Sequence, residues 1–178
     1  MPFSVLLLTA ASSERHISGH GGDRVGMSAN LLSGEVVLFF DKIDGDIVSR
    51  GLDMVGKKCC DGLIFYARGT HKVICLVEMK GNHLREAEEQ IKNTHRHLLE
   101  LLKKECKLCS EYLQQITWKA YIYRSGGGPK YEAADCVERL VQYGFKKGNA
   151  VVLGQSDITA FLRKEANTME YGHKKSKR

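Results

Sequence analysis

Apolar and polar positions follow two periods along this chain, and the places where the period changes mark its elements. Residues 35–43, EVVLFFDKI, read as a first strand. Residues 63–67 and 73–79 are rich in Ile, Val, Phe and Tyr and flank Arg68-Gly69-Thr70-His71, which has turn composition; that is a hairpin signal. From Asn82 or His83 to Lys104 the period becomes helical, with Leu84, Ala87, Ile91, Leu98, Leu101 and Leu102 on one stripe and Arg85, Glu89, Lys92 and Arg96 over the remainder. Residues 117–124 alternate as a strand, 132–143 read as a helix, 150–153 as a short strand, and Ser156 or Asp157 caps a last helix to about Ala166. Before the first strand, residues 12–26 are polar and glycine-rich, and residues 27–32 turn apolar enough for a short helix; residues 49–58, after it, read as a loop. The order is helix, three strands, long helix, strand, helix, strand, helix, which predicts an α/β sandwich around one mixed sheet.

The hairpin has a chemical consequence. If the four turn residues form its loop, Ala67 pairs with Lys72, and counting outward along the two strands brings Asp61 opposite Glu78. Side chains alternate, so Lys80 shares the face of Glu78 while Val77 and Met79 point the other way. A shift of one residue in the loop would put Asp61 on the opposite face. Two acids facing each other repel, and buried acids resist sharing a site unless a cation or a proton intervenes. Mg²⁺ suits such a pair, because it takes hard oxygen ligands and usually needs only one or two protein carboxylates. The plainer reading is a surface hairpin with solvated acids and Lys80 paired to Glu78.

Asp61 in Cys60-Asp61-Gly62, with Glu78-Met79-Lys80 at the end of an apolar strand, resembles the core motif of the PD-(D/E)xK nuclease superfamily, with Cys60 where the family name has proline. A strand hairpin followed at once by a long amphipathic helix is also similar to that family's core, and the resemblance covers roughly residues 21–153. It implies a restriction-endonuclease-like three-layer sandwich, with a central mixed β-sheet flanked by helices and an αβββαβ core. It implies hydrolysis of DNA phosphodiester bonds to a 5′-phosphate and a 3′-hydroxyl, with Asp61 and Glu78 holding Mg²⁺, or Mn²⁺ in its place, and Lys80 assisting the attacking water. The family often places a Gln or Lys on the long helix beside the metal; Gln90 matches, and at about 100° per residue it gathers with Thr94 and His97 along one margin of the apolar stripe. The family's first helix often donates a further acid. Asp23 falls where that acid would sit, and Glu35, opening the first strand, is its rival; a helix cap and a strand-edge charge are the plain readings of the two. DNA is the implied partner, and since many members work as dimers a homodimer is left open.

Composition narrows the field. With 178 residues and 43% apolar content the chain is long enough for one well-packed core, a single domain over residues 1–172 with a basic tail at 173–178. Of the net charge of +6, the tail supplies four positive charges and no acid, leaving +2 for the body. Such a tail suits phosphate contact, or frays in solvent. Basic residues near loops, Arg124 and Lys130 among them, could line a backbone groove. The six cysteines form no secreted disulfide framework. Cys106-Lys-Leu-Cys109 with a lone Cys136 lacks the clustered cysteines and the Cys-Pro of an iron–sulfur site, so neither that cluster nor zinc is expected. His95 and His97 lie roughly 160° apart on the helix and do not share a metal. Asp41, Asp44 and Asp46 lack the spacing of a calcium loop, and Ser125-Gly-Gly-Gly-Pro129 lacks the ending of a nucleotide loop. The N-terminal apolar run is short, with no basic residue before it, and no stretch approaches a membrane span; a cytoplasmic protein without a membrane partner is the expectation. Against the nuclease stands a catalytically inactive nuclease-fold module binding DNA or protein, which would have no reason to keep Asp61, Glu78 and Lys80 together. A cysteine hydrolase would need a base beside one of the thiols, and none is recognisable.

Overall fold

The computed structural model describes residues 2–19, 21–81, 83–105, 113–126 and 128–164. In chain order its elements are α1 (Pro2–Thr9), β1 (Ala11–Ser12), β2 (His16–Ser18), β3 (Arg24–Gly26), β4 (Glu35–Asp41), α2 (Asp46–Gly51), β5 (Gly62–Arg68), β6 (His71–Lys80), α3 (Leu84–Glu105), β7 (Ile116–Arg124), α4 (Lys130–Tyr143), β8 (Ala150–Leu153) and α5 (Thr159–Arg163). Six strands make one sheet in the order β1-β4-β5-β6-β7-β8, and β2 and β3 pair separately. β4, β5 and β6 form an antiparallel meander, after which β7 and β8 add in parallel. The parallel step from β6 to β7 requires a crossover, and α3 supplies it.

The hairpin is tighter than its composition predicts. Arg68 and His71 pair with each other, leaving a two-residue turn of Gly69 and Thr70 in which Gly69 has φ +57, a conformation that glycine adopts without steric cost. Shortening the loop by two residues adds one pair and leaves the count unchanged. Ala67 still faces Lys72 and Gly62 faces Val77, so Asp61 comes opposite Glu78.

β6 buries six successive residues, 73–78, because both faces of this central strand are covered. On one face, Leu6 of α1, Val48 of α2, Leu84, Ala87, Ile91 and Leu98 of α3, and Cys136 and Leu140 of α4 pack on Leu63, Ile74, Leu76, Ala120 and Ile122. On the other, Ile17 and Val25 of the β2–β3 hairpin and Leu162 of α5 pack on Ile64, Tyr66, Cys75, Val77 and Tyr121. The architecture is α/β, a mixed sheet flanked by helices, with the second face shared between a hairpin and one short helix.

Two expectations change. Residues 27–32 are not helical: Met27 is buried in the second core, Leu31 and Leu32 are exposed, and backbone bonds from Gly26 to Ser156 and from Ile158 to Gly26 hold the segment's start extended beside the α5 entry. With no apolar face of its own to bury, this stretch gains nothing by coiling. The first helix is instead α1, which buries Leu6 while Leu7 and Leu8 stay exposed. Residues 49–58 are not wholly a loop, since α2 enters them and its end is closed by a hydrogen bond between His97 Nε2 and the Leu52 carbonyl. Cys106, Cys109 and the basic tail lie outside the described residues. No described helix is long and apolar enough to cross a membrane.

His95 packs edge-on against Trp118, with ring centroids 4.6 Å apart, and its Nδ1 meets the Tyr143 hydroxyl at 3.2 Å. Burial pulls its pKa from 6.5 down to about 4. The folded imidazole therefore stays neutral where the unfolded one protonates, so stability present above pH 6.5 drains away as pH falls toward 4. The urea midpoint is expected to drop between pH 7 and pH 5, and the drop to shrink in His95→Phe; an undiminished drop in the variant would assign it to another group.

Candidate active site

Asp61 and Glu78 meet where β5 begins and β6 approaches its end, both buried. Each carboxylate clasps the backbone of the opposite strand: Asp61 Oδ2 accepts the Met79 N–H, next to Glu78, at 2.7 Å, and Glu78 Oε2 accepts the Asp61 N–H at 3.1 Å. These bonds continue the ladder by side chains just past the last paired residues, and they fix both acids on the strand ends. Glu78 Oε1 is left buried with no hydrogen-bond partner among the described residues. The Lys80 ammonium stands 3.5 Å from it, too far for the charge-assisted bond of about 2.8 Å that a tight pair makes. Burial, and after it the Asp61 carboxylate, push the Glu78 pKa from 4.5 up to about 9, outweighing the pull of Lys80. Without a cation, Glu78 therefore keeps its proton at neutral pH.

Lys80, 25% exposed, forms the mouth of this pair. Its second partner is Glu86 of α3 at 3.7 Å, and Glu86 in turn meets Lys58 at 3.4 Å. Lys80, followed by Lys58, holds the Glu86 carboxyl below its ordinary value. From the margin of α3, Gln90 Nε2 donates to the Cys59 carbonyl at 2.9 Å, and one turn later Thr94 Oγ1 accepts the Cys60 N–H at 3.0 Å while donating to the Gln90 carbonyl. The helix thus pins Cys59 and Cys60, the two residues that deliver Asp61. Gln90 Oε1 is, like Glu78 Oε1, a buried oxygen without a partner among the described residues.

The two candidates for a further acid lie elsewhere. Asp23 occupies the turn between β2 and β3; its carbonyl accepts the Gly19 N–H, and Gly19 packs against Met79, on the sheet face away from Glu78. Glu35 sits at the opposite end of β4, in register with Arg68, whereas Asp41 is the β4 residue in register with Gly62. Its oxygens are fully used: Arg163 donates to both, at 2.7 and 2.8 Å, Tyr66 OH to Oε1 at 3.0 Å and the Leu32 N–H to Oε2 at 2.7 Å. The Arg163 bond, opposed by burial and helped by Leu32 and Tyr66, lowers the Glu35 pKa to about 2. Glu35 is an anchor for α5. The site therefore gathers Asp61, Glu78, Lys80 and, through Cys59, Gln90. Glu86 and Lys58 were missed as neighbours, although Glu86 in the first turn of the helix and Lys58 just before the hairpin are where the topology returns to the strand ends.

Among the described residues no three His, Cys, Asp or Glu side chains gather closely enough to make a protein-only metal cage. The Asp61 and Glu78 carboxylates, with Glu78 Oε1 lacking a hydrogen-bond partner among the described residues, are nonetheless a donor set that fits Mg²⁺, which keeps most of its water and asks for one or two carboxylates; they would not satisfy zinc, which prefers nitrogen and sulfur. Comparison with protein-family models, curated proteins and solved structures found no match for this chain.

Proposed function

We propose that this protein is a metal-dependent nuclease that hydrolyses DNA phosphodiester bonds. The observation that carries the reading is Glu78 Oε1: a carboxyl oxygen buried beside Asp61, without a hydrogen-bond partner among the described residues, with the Lys80 ammonium 3.5 Å away. Burying such an oxygen is costly for folding alone, and a divalent cation held there in place of the proton would remove the cost. Asp61 and Glu78 would hold Mg²⁺ or Mn²⁺, which when bound polarises a phosphoryl oxygen and acidifies a coordinated water. Lys80, at the exposed edge of the pair, would orient the attacking water or balance the charge that develops on phosphorus. Gln90 contributes a neutral oxygen beside Cys59 and keeps the Asp61 segment in place. The element order, three antiparallel strands followed by a helix and a parallel strand, supports the αβββαβ resemblance, and substrate identity as DNA rests on that resemblance.

Digestion of plasmid and oligonucleotide DNA with Mg²⁺ tests the proposal. Wild type is expected to cut, EDTA to stop it, and Asp61→Ala and Lys80→Ala each to lose about a hundredfold or more, the scale on which positioned charge acts in a transition state. Undiminished cutting by Asp61→Ala would move the chemistry to another site. No cutting on any DNA, together with no binding of Mg²⁺ or Mn²⁺, would favour an inactive DNA- or protein-binding module.

A further inference from the structure

The cation next to Lys80 along the sheet is Arg124. β6 and β7 run parallel with Lys80 in register with Arg124, so the two side chains leave the same face at the C-terminal ends of neighbouring strands. That is the end of an open α/β sheet where crevices form and ligands bind. Arg124 is only 8% exposed. Its Nη2 donates to Glu132 at 2.9 Å and its Nη1 to the Pro129 carbonyl at 3.3 Å, while its Nε is buried with no hydrogen-bond partner among the described residues. The seat is shaped for it: a Cβ at Gly128 would come within 1.7 Å of Nη2, so only glycine there lets the guanidinium lie against the loop.

A guanidinium cannot shed its charge, and a buried N–H left unsatisfied costs free energy unless a ligand completes it. The neighbouring space can admit one. Glu132, whose side chain is 41% exposed, lies in the first turn of α4 and lines a cleft of about 530 Å³ with Tyr131, His83, Leu84 and Glu86, a volume typical of ligand clefts. Glu86 is also the outer partner of Lys80, so one cleft borders both ion pairs, and the N-terminal turns of α3 and α4 that wall it add partial positive charge.

We infer that Arg124 is a phosphate-binding residue of the nuclease, taking a backbone phosphate adjacent to the scissile one, with Glu132 holding that place until the nucleic acid arrives. The inference rests on the nuclease reading for the identity of its ligand. A phosphate on Arg124 would replace the Glu132 carboxylate on Nη2 and satisfy Nε with a second oxygen, the bidentate contact that arginine makes and lysine does not.

Fluorescence anisotropy of a labelled DNA duplex, with EDTA so that nothing is cut, tests this on the full chain. Arg124→Lys is expected to bind about tenfold or more weakly, one bidentate charged contact being worth at least that factor. Glu132→Gln is expected to bind several times more tightly than wild type, and more tightly than Asp135→Asn, which removes the same charge from the same cleft without freeing Arg124. Wild-type affinity in Arg124→Lys, an equal gain in Glu132→Gln and Asp135→Asn, or no binding by the wild type would each overturn the inference. If Arg124→Lys does not fold, as circular dichroism would reveal, the comparison of Glu132→Gln with Asp135→Asn decides. Failure of the nuclease reading is separate: it appears as absent Mg²⁺-dependent cleavage, whatever the anisotropy.

Discussion

Glu78→Gln is expected to be more stable than the wild type at pH 8, and neither to bind Mg²⁺ nor to cut DNA. Glu78 ionises at about 9 in the fold against 4.5 as a free side chain. A carboxyl whose folded pKa is raised contributes stability fully present below pH 4.5 and lost as pH climbs toward 9, because the unfolded chain releases its proton first. At pH 8 the folded state is therefore carrying a proton at a cost, and Gln, which keeps an oxygen for the Asp61 N–H, removes that cost. The gain should be about 2 kcal/mol, a discounted fraction of the full shift at about 1.4 kcal/mol per unit, and should fade toward pH 5. Urea titrations at the two pH values check the stability, and calorimetry with Mg²⁺ checks the site. In the wild type, Mg²⁺ should raise stability by mass action and release a proton on binding. Equal stability of wild type and Glu78→Gln at both pH values would mean that Glu78 is not a strained acid, and the case for a cation there would go with it.

The pairing of Asp61 with Glu78 was legible in the sequence because it depends only on parity. Any loop of even length about Gly69-Thr70 puts the same residues opposite each other, so the four-residue loop inferred from composition and the two-residue turn of the fold lead to the same site. α3 was equally legible, its stripe being long enough for the helical period to be unmistakable. Asp23 and Glu35 were not, since each depended on what followed: Asp23 on a helix at residues 27–32 whose large apolar residues turn out to be one buried Met and two exposed Leu, and Glu35 on whether an arginine 128 residues away would reach it. Thr94 and Gln90 were placed on one helix margin correctly as a pair four residues apart, but their contacts with Cys60 and Cys59 required knowing how α3 crosses the sheet. Arg124 was visible only as a basic residue before a glycine run. Its place beside Lys80 comes from parallel pairing across a 22-residue helix, a relation that no local pattern encodes.

Lys119→Met should unlatch the second face of the sheet while leaving the chemistry intact. Lys119 points from β7 into the layer that holds α5, almost wholly buried. Its ammonium donates to the Phe161 carbonyl at 2.5 Å, to Lys164 at 2.6 Å and, more weakly, to Leu162 at 3.4 Å. These are carbonyls at the end of a helix too short to satisfy them itself. Met preserves the apolar stem and much of the volume but supplies no donor, so the part-buried Phe161 and Lys164 carbonyls and the buried Leu162 carbonyl lose their partner, at about 1 kcal/mol each. The expected loss is about 3 kcal/mol in a urea titration at pH 7, with Arg163 and Glu35 separating as α5 lifts. Burial lowers the Lys119 pKa from 10.5 to about 8; the folded amine loses its proton first, so wild-type stability should rise between those two pH values relative to Lys119→Met. Lys119 lies on the face away from Glu78, in register with Cys75 of the second core, so DNA cleavage well below the melting temperature should be retained. Cleavage lost along with stability would show instead that the two faces of the sheet are coupled, and that α5 helps to set the geometry of the Asp61–Glu78 clasp across the strands.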